Sequence, residues 1–188
     1  MARREPALEV GLHIDLVEGT PVTDPAVVPT LIDADGRFLG LVGLFSRIAS
    51  RRVRASEIAR EVRAQVHRAR SLGTPALAWD SHRHTHLFPP IAWIVGAIAR
   101  EEGARWVRRA WPAEGPTWKG AALGIATAAS SPLLRGVPGN DRLVDLTFRR
   151  WPVDAPSVAR LARAYGVSEV VTHPGPAEGD PNDRIAML

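Results

Sequence analysis

The sequence predicts an α/β fold with a mainly parallel sheet, open or closed into a barrel. Two observations carry that reading. Segments of strand period and helix period alternate along the chain, and the connections between most of them are short. The first strand covers Leu8 to Leu16, where Leu8, Val10, Leu12, Ile14 and Leu16 fall on one face and Glu9, Gly11, His13 and Asp15 on the other. A Pro-rich loop (Pro21, Pro25, Pro29) and a turn at Asp33-Ala34-Asp35-Gly36 follow. A helix from about Ser56 to Leu72 turns Ile58, Val62, Val66, Ala69 and Leu72 inward, and Gly73 stops it. Ala76 to Asp80 reads as a short strand. Pro89-Pro90 opens a second helix with Ile91, Ile94, Val95 and Ile98 on one side and Gly103 past its end. Ala104 to Arg108 is another short strand.

Between Trp111 and Asn140, Gly, Ala, Ser and Pro dominate, and only Lys119 to Ala129 has helical character. A strand is expected at Leu143–Phe148. A helix follows, capped by Asp154 with Pro156 in its first turn, Val158, Leu161 and Ala162 inward and Gly166 as its stop. The last strand is Glu169 to His173. No repeat of fixed period and no composition break marks a linker, so the 188 residues read as one domain, 1–188.

A hydrophobic fraction of 45% and a charged fraction of 23% exclude global disorder and fibrous classes. The sequence holds no apolar run of membrane-spanning length and no apolar leader behind Met1, so a cytoplasmic protein without a transmembrane segment is expected. With no cysteine, a metal site must use His, Asp or Glu. The net charge of +4 comes from 23 Arg and one Lys, Lys119. They are scattered among carboxylates rather than gathered in a stripe that would track phosphates, so no nucleic-acid partner is expected.

Three histidine positions fall at the ends of predicted strands, the rim where α/β folds assemble their sites. The densest is Asp80-Ser81-His82-Arg83-His84-Thr85-His86. If it stays extended, Asp80, His82, His84 and His86 project to one side, and imidazoles with a carboxylate suit Zn, Fe or Mn. His13 lies on the polar face of the first strand, and His173 ends the last strand before Pro174-Gly175. His67 lies in a charged helical stretch and is given no role.

Gly11-Leu12-His13-Ile14-Asp15-Leu16 with Glu18-Gly19-Thr20-Pro21-Val22, then Asp80 to His86 with Pro89, then Val171-Thr172-His173-Pro174-Gly175, resemble the YdjC-like carbohydrate deacetylase family in order and spacing. The opening third, including residues 31–38, is most similar to the branch associated with hopanoid biosynthesis. The resemblance implies a distorted (β/α) barrel of the polysaccharide-deacetylase-like type and removal of an acetyl group from an N-acetylated sugar or glycolipid with a divalent metal ion, Mg2+ or Zn2+. It implies His13 and His82 as metal ligands, His173 as the group that protonates the departing nitrogen, and Arg108 and His86 on the substrate side. Members begin with a strand ending in an Asn-Ala-Asp-Asp-Phe-Gly type motif and continue into a further helix. Neither is found here, and a closed barrel typically takes about 250 residues. The chain therefore reads as lacking the first βα unit and the last helix, with Asp15 or Asp80 as the available stand-in for the carboxylate ligand. Two other readings remain: an ordinary amidohydrolase using a His-x-His pair within 82–86, and a non-catalytic remnant that binds sugar or forms a homo-oligomer through open sheet edges.

Overall fold

The structure, a computed structural model, describes residues 10–112, 117–145, 156, 159–160, 163 and 166–171. Strands β1 (Leu12–Ile14), β2 (Ala78–Ser81), β3 (Trp106–Val107), β4 (Arg142–Asp145) and β5 (Ser168–Val171) alternate with helices α1 (Gly40–Ala49), α2 (Ala55–Ser71), α3 (Pro89–Glu101) and α4 (Trp118–Ser130). All described strand pairings in these sheets are parallel, so the fold is mixed α/β. The chain divides into two compact units, residues 1–108 with 129–138, and residues 109–128 with 139–188.

The first unit carries the sheet β1-β2-β3. Its register sets Leu12 beside Trp79, His13 beside Asp80 and Ile14 beside Ser81. Leu12 and Ile14 are buried while His13 between them is exposed, as the period of two requires. Gly11 permits the close approach of β1 to β2, because a Cβ there would lie 2.7 Å from the Ala78 carbonyl oxygen. The core gathers Ile14, Leu16 and Trp79 from the sheet side, Ile58, Val62 and Val66 from α2, and Ile91, Val95 and Ile98 from α3. Arg63 reaches Glu101 and Arg70 reaches Glu102 where α2 lies on α3.

The loop between β1 and α1 is tied to α2 by carboxylates that α2 turns inward. Glu61, fully buried, accepts from the backbone N–H of Val22 at 2.9 Å and of Thr23 at 3.0 Å. Glu57 accepts from the N–H and hydroxyl of Thr30. Gln65 accepts from Asp15 N–H and donates to its carbonyl. The part-buried N–H groups of this loop find their acceptors on the inner face of α2.

In the second unit β4 pairs with β5, Leu143 beside Glu169 and Val144 beside Val170. The Asn140 amide accepts from Arg109 N–H and donates to the carbonyls of Arg109 and Arg142. Pro156, Ala159, Arg160 and Arg163 are helical.

The structure differs from the sequence expectations in three places. α1, Gly40–Ala49, stands in a stretch to which the sequence reading assigns no element. Leu72 lies past the end of α2 and is 58% exposed rather than inward. The chain beyond Ser81 leaves the extended conformation for a 3-10 helix over His82–Leu87, with Arg83 and His84 in the left-handed region at φ 51° and 54°. Asp80, His82, His84 and His86 therefore do not share one strand face. Leu8, residues 146–148, Asp154, Val158, Leu161, Ala162, Thr172 and His173 lie outside the described residues.

Candidate metal and active site

The site grows from the register pair His13 and Asp80. Adjacent parallel strands set both side chains on one face, and His13 Nδ1 lies 2.8 Å from Asp80 Oδ1. The other carboxylate oxygen, Oδ2, is 2.5 Å from Arg108 Nη1 at the end of β3. Burial alone would push the Asp80 carboxyl up. The His13 hydrogen bond and the charges of Arg108 and His13 outweigh it, and the group is held below the usual carboxylate range.

Where β2 ends, Ser81 turns the chain. Its Oγ receives the backbone N–H of His86 at 2.9 Å and the Thr85 hydroxyl at 3.1 Å, and lies 2.6 Å from His86 Nδ1. His86 Nε2 is 3.0 Å from the Arg108 carbonyl, which can only accept, so the ring carries its proton on Nε2 and receives the Ser81 hydroxyl on Nδ1. Burial pushes this imidazole down to about 3, and it is neutral at physiological pH. The tight turn throws the preceding His82 toward β1. His82 Nδ1 comes within 3.5 Å of His13 Nε2, and the rings meet edge to face with centroids 5.7 Å apart.

Glu18, in the loop after β1, closes the far side. Its Oε1 lies 3.0 Å from His82 Nε2, and Arg83 donates to it from Nε and Nη2 at 3.0 and 2.8 Å. The contacts with His82 and then with Arg83 hold the Glu18 carboxyl below its ordinary range. Carboxylates only accept, so His13 carries its proton on Nδ1 toward Asp80 and turns its Nε2 lone pair to His82 Nδ1. With the His82 proton on Nε2, beside Glu18, two ring lone pairs would face one another. Two nitrogen ligands about 2.1 Å from one ion in tetrahedral or octahedral geometry are separated by about 3.0 to 3.4 Å, close to the distance found. The spacing of His13 Nε2 and His82 Nδ1 would leave room for a divalent cation with these two nitrogens as ligands. Among the described residues no group of three or more His, Cys, Asp or Glu is arranged to hold a metal ion.

The sequence model of a family described as YdjC-like protein matches residues 1–186. The chain belongs to the YdjC-like family. It is 39% identical over 102 residues to a carbohydrate deacetylase of Brevibacillus brevis (strain 47 / JCM 6285 / NBRC 100599), covering 54% of this chain and 38% of that protein. It is 38% identical over 103 residues to a chitooligosaccharide deacetylase of Yersinia pestis (strain Pestoides F), covering 54% of this chain and 39% of that one. A carbohydrate deacetylase of Danio rerio is 32% identical over 102 residues, 54% of this chain and 33% of its own length. The chain thus spans between 33% and 39% of these relatives. A crystal structure from Enterococcus faecalis V583, of a protein provisionally named for cellobiose-phosphate cleavage, superposes with a TM-score of 0.71 at 20% identity, over 94% of this chain and 64% of that one. At that identity the likeness is one of fold.

In this YdjC-like chain the site residues expected from sequence are placed as follows. His13 and His82 meet. Arg108 directs its guanidinium to Asp80. His86 differs from its expected place on the substrate side: it is 1% exposed, with both ring nitrogens engaged inside the turn. Asp15 and Asp80 also differ from the role of stand-in ligand. Asp15 Oδ1 caps the N–H groups of Val17 and Glu18, and Asp80 faces the outer nitrogen of His13. His173 lies outside the described residues. No role falls to Glu18 or Ser81 in the sequence reading: Glu18 meets Arg83 65 residues away, while Ser81 bonds Thr85 and His86 only because the chain turns there instead of staying extended.

Proposed function

We propose that the protein is a hydrolase that removes the acetyl group from an N-acetylated sugar or glycolipid, using a divalent ion held by His13 and His82. The observation that carries this reading is the pair of imidazoles facing each other at 3.5 Å, each backed by a carboxylate. The family and the printed names of its relatives supply the substrate class. The likeness of residues 31–38 to the hopanoid-associated branch favours the glycolipid arm. A distorted (β/α) barrel is the architecture we assign to the whole protein.

Bound between these rings, a divalent ion would supply a water of lowered pKa and would polarise the acetyl carbonyl. Two imidazoles favour zinc or manganese over magnesium. His13 Nε2 and His82 Nδ1 are the atoms that would hold the ion. Asp80 holds His13 with its proton on Nδ1, and Arg108 keeps Asp80 ionised for that task. The buried His86 locks the Arg108 backbone, so the guanidinium is delivered from a fixed point. His173 is the group we assign to protonating the departing amine.

Calorimetric titration of the chain with zinc and manganese, paired with acetate release from N-acetylated chitooligosaccharides, tests the reading. Ion binding should be present in the wild type and lost in both His13→Ala and His82→Ala, with acetate release following it. Ion binding that survives both substitutions, or that the wild type lacks, would overturn it.

A further inference from the structure

Glu18 stands to His82 as Asp80 stands to His13. We infer that Glu18 is a positioning residue that keeps the His82 proton on Nε2 and so points the Nδ1 lone pair at His13 Nε2, giving a pair of ligands that bind through opposite ring nitrogens. The inference rests on the metal-site reading above.

Three observations carry it. His82 Nε2 is shut off from water, makes no hydrogen bond, and lies 3.0 Å from Glu18 Oε1 at ion-pair distance, so this carboxylate is the charge beside a buried ring nitrogen that solvent does not reach. The Glu18 carboxylate is itself fixed at two levels. Asp15 Oδ1 accepts from the backbone N–H of Val17 at 2.8 Å and of Glu18 at 2.9 Å, which sets the point where the Glu18 side chain leaves the loop. Arg83 grips the same Oε1 through two donors, from a residue held in the left-handed region. The third observation is the order of the chain: Arg83 follows His82 directly, so the contact that anchors Glu18 and the contact that orients the ring come from one turn. An outer-sphere partner of this kind fixes the tautomer and ring direction of a metal-binding histidine, and its loss typically weakens metal affinity about 10- to 100-fold.

Two measurements on the full chain test the role. In the metal-free wild type, long-range nitrogen–proton correlation spectra should show His82 protonated on Nε2, with slow exchange of that proton; a proton on Nδ1 overturns the inference. In zinc titrations, Glu18→Ala should bind about 10- to 100-fold more weakly, while Glu18→Gln, whose amide oxygen still accepts from Nε2–H, should return to within a few-fold of wild type. Arg83→Ala, which loosens the loop but leaves the acceptor, should cost less than Glu18→Ala. Equal losses in Glu18→Ala, Glu18→Gln and Arg83→Ala would mark a loop anchor and overturn the positioning role, as would unchanged zinc affinity in Glu18→Ala. If the wild type binds no zinc, the metal reading fails and the proton position decides the inference alone. If Glu18→Ala does not fold, the wild-type spectrum and the Glu18→Gln titration still decide it.

Discussion

His86 and Arg108 are joined ring to backbone: His86 Nε2 donates to the Arg108 carbonyl over 3.0 Å, in the same strand-end segment whose guanidinium grips Asp80. A ring buried among polar partners thus fixes the origin of a side chain that reaches the site. The neutrality of that ring has a consequence for stability.

His86 binds its proton near the ordinary 6.5 when unfolded and only at about 3 when folded. Between these values the unfolded chain holds more protons, so stability is full above about pH 6.5 and falls as pH drops, approaching about 1.4 kcal/mol per pH unit. Urea unfolding should show a loss of about 2 kcal/mol between about pH 7 and pH 5 from this group. His86→Gln should remove that part of the slope; an identical slope in the variant would contradict the assignment.

Glu61 accepts from Val22 N–H, Thr23 N–H and Gln65 Nε2 with no exposure to water. Glu61→Ala leaves the buried Gln65 amide and two part-buried loop N–H groups without their acceptor and should destabilise the chain by about 1–3 kcal/mol in chemical denaturation. Proteolysis should then cut first within the loop that carries Val22 and Thr23.

Arg51 follows α1 with φ 58°, its N–H bonded to the Ile48 carbonyl and the next N–H, of Arg52, to the Arg47 carbonyl. That is the left-handed helix stop that glycine fills without strain. Arg51→Gly should raise stability by about 1 kcal/mol, read as an upward shift of the thermal midpoint.

Gly11 sits where a Cβ would press on the Ala78 carbonyl oxygen at 2.7 Å. Gly11→Val should cost about 1–3 kcal/mol in stability. It should also weaken zinc binding, because spreading β1 from β2 separates His13 from Asp80. Lost stability with full zinc affinity would show that the strands part elsewhere.

The sequence made legible what local periodicity and punctuation encode. Alternation marked the strand bearing His13, Gly73 and Gly103 marked the ends of α2 and α3 at positive φ, and Pro89-Pro90 marked the start of α3. α1 escaped although Leu41, Leu44, Phe45 and Ile48 recur at helical spacing, because no side chain caps its start and the run is only ten residues with two glycines, Gly40 and Gly43, in its first turn. The pairing of His13 with His82 was implied by resemblance, and its geometry depends on a turn that local pattern misread. The segment after Asp80 looks like a strand by alternation, yet Ser81, Arg83 and Glu18 bend it. The ties to Glu18 and Arg108 join residues 65 and 22 positions apart, beyond any local signal.

The adjacent left-handed residues Arg83 and His84, at φ 51° and 54°, each hold a conformation that costs an L-residue roughly 1–2 kcal/mol. What offsets it comes partly from outside the segment, from Glu18 in the loop behind β1 and from the Arg108 carbonyl at the end of β3. The seven residues from Asp80 to His86 are therefore not a portable module. Copied into a synthetic peptide or grafted onto a foreign hairpin, they would relax to an ordinary extended run and splay their rings. A transplant that keeps the cation seat must bring the neighbouring strand and its trailing loop with it.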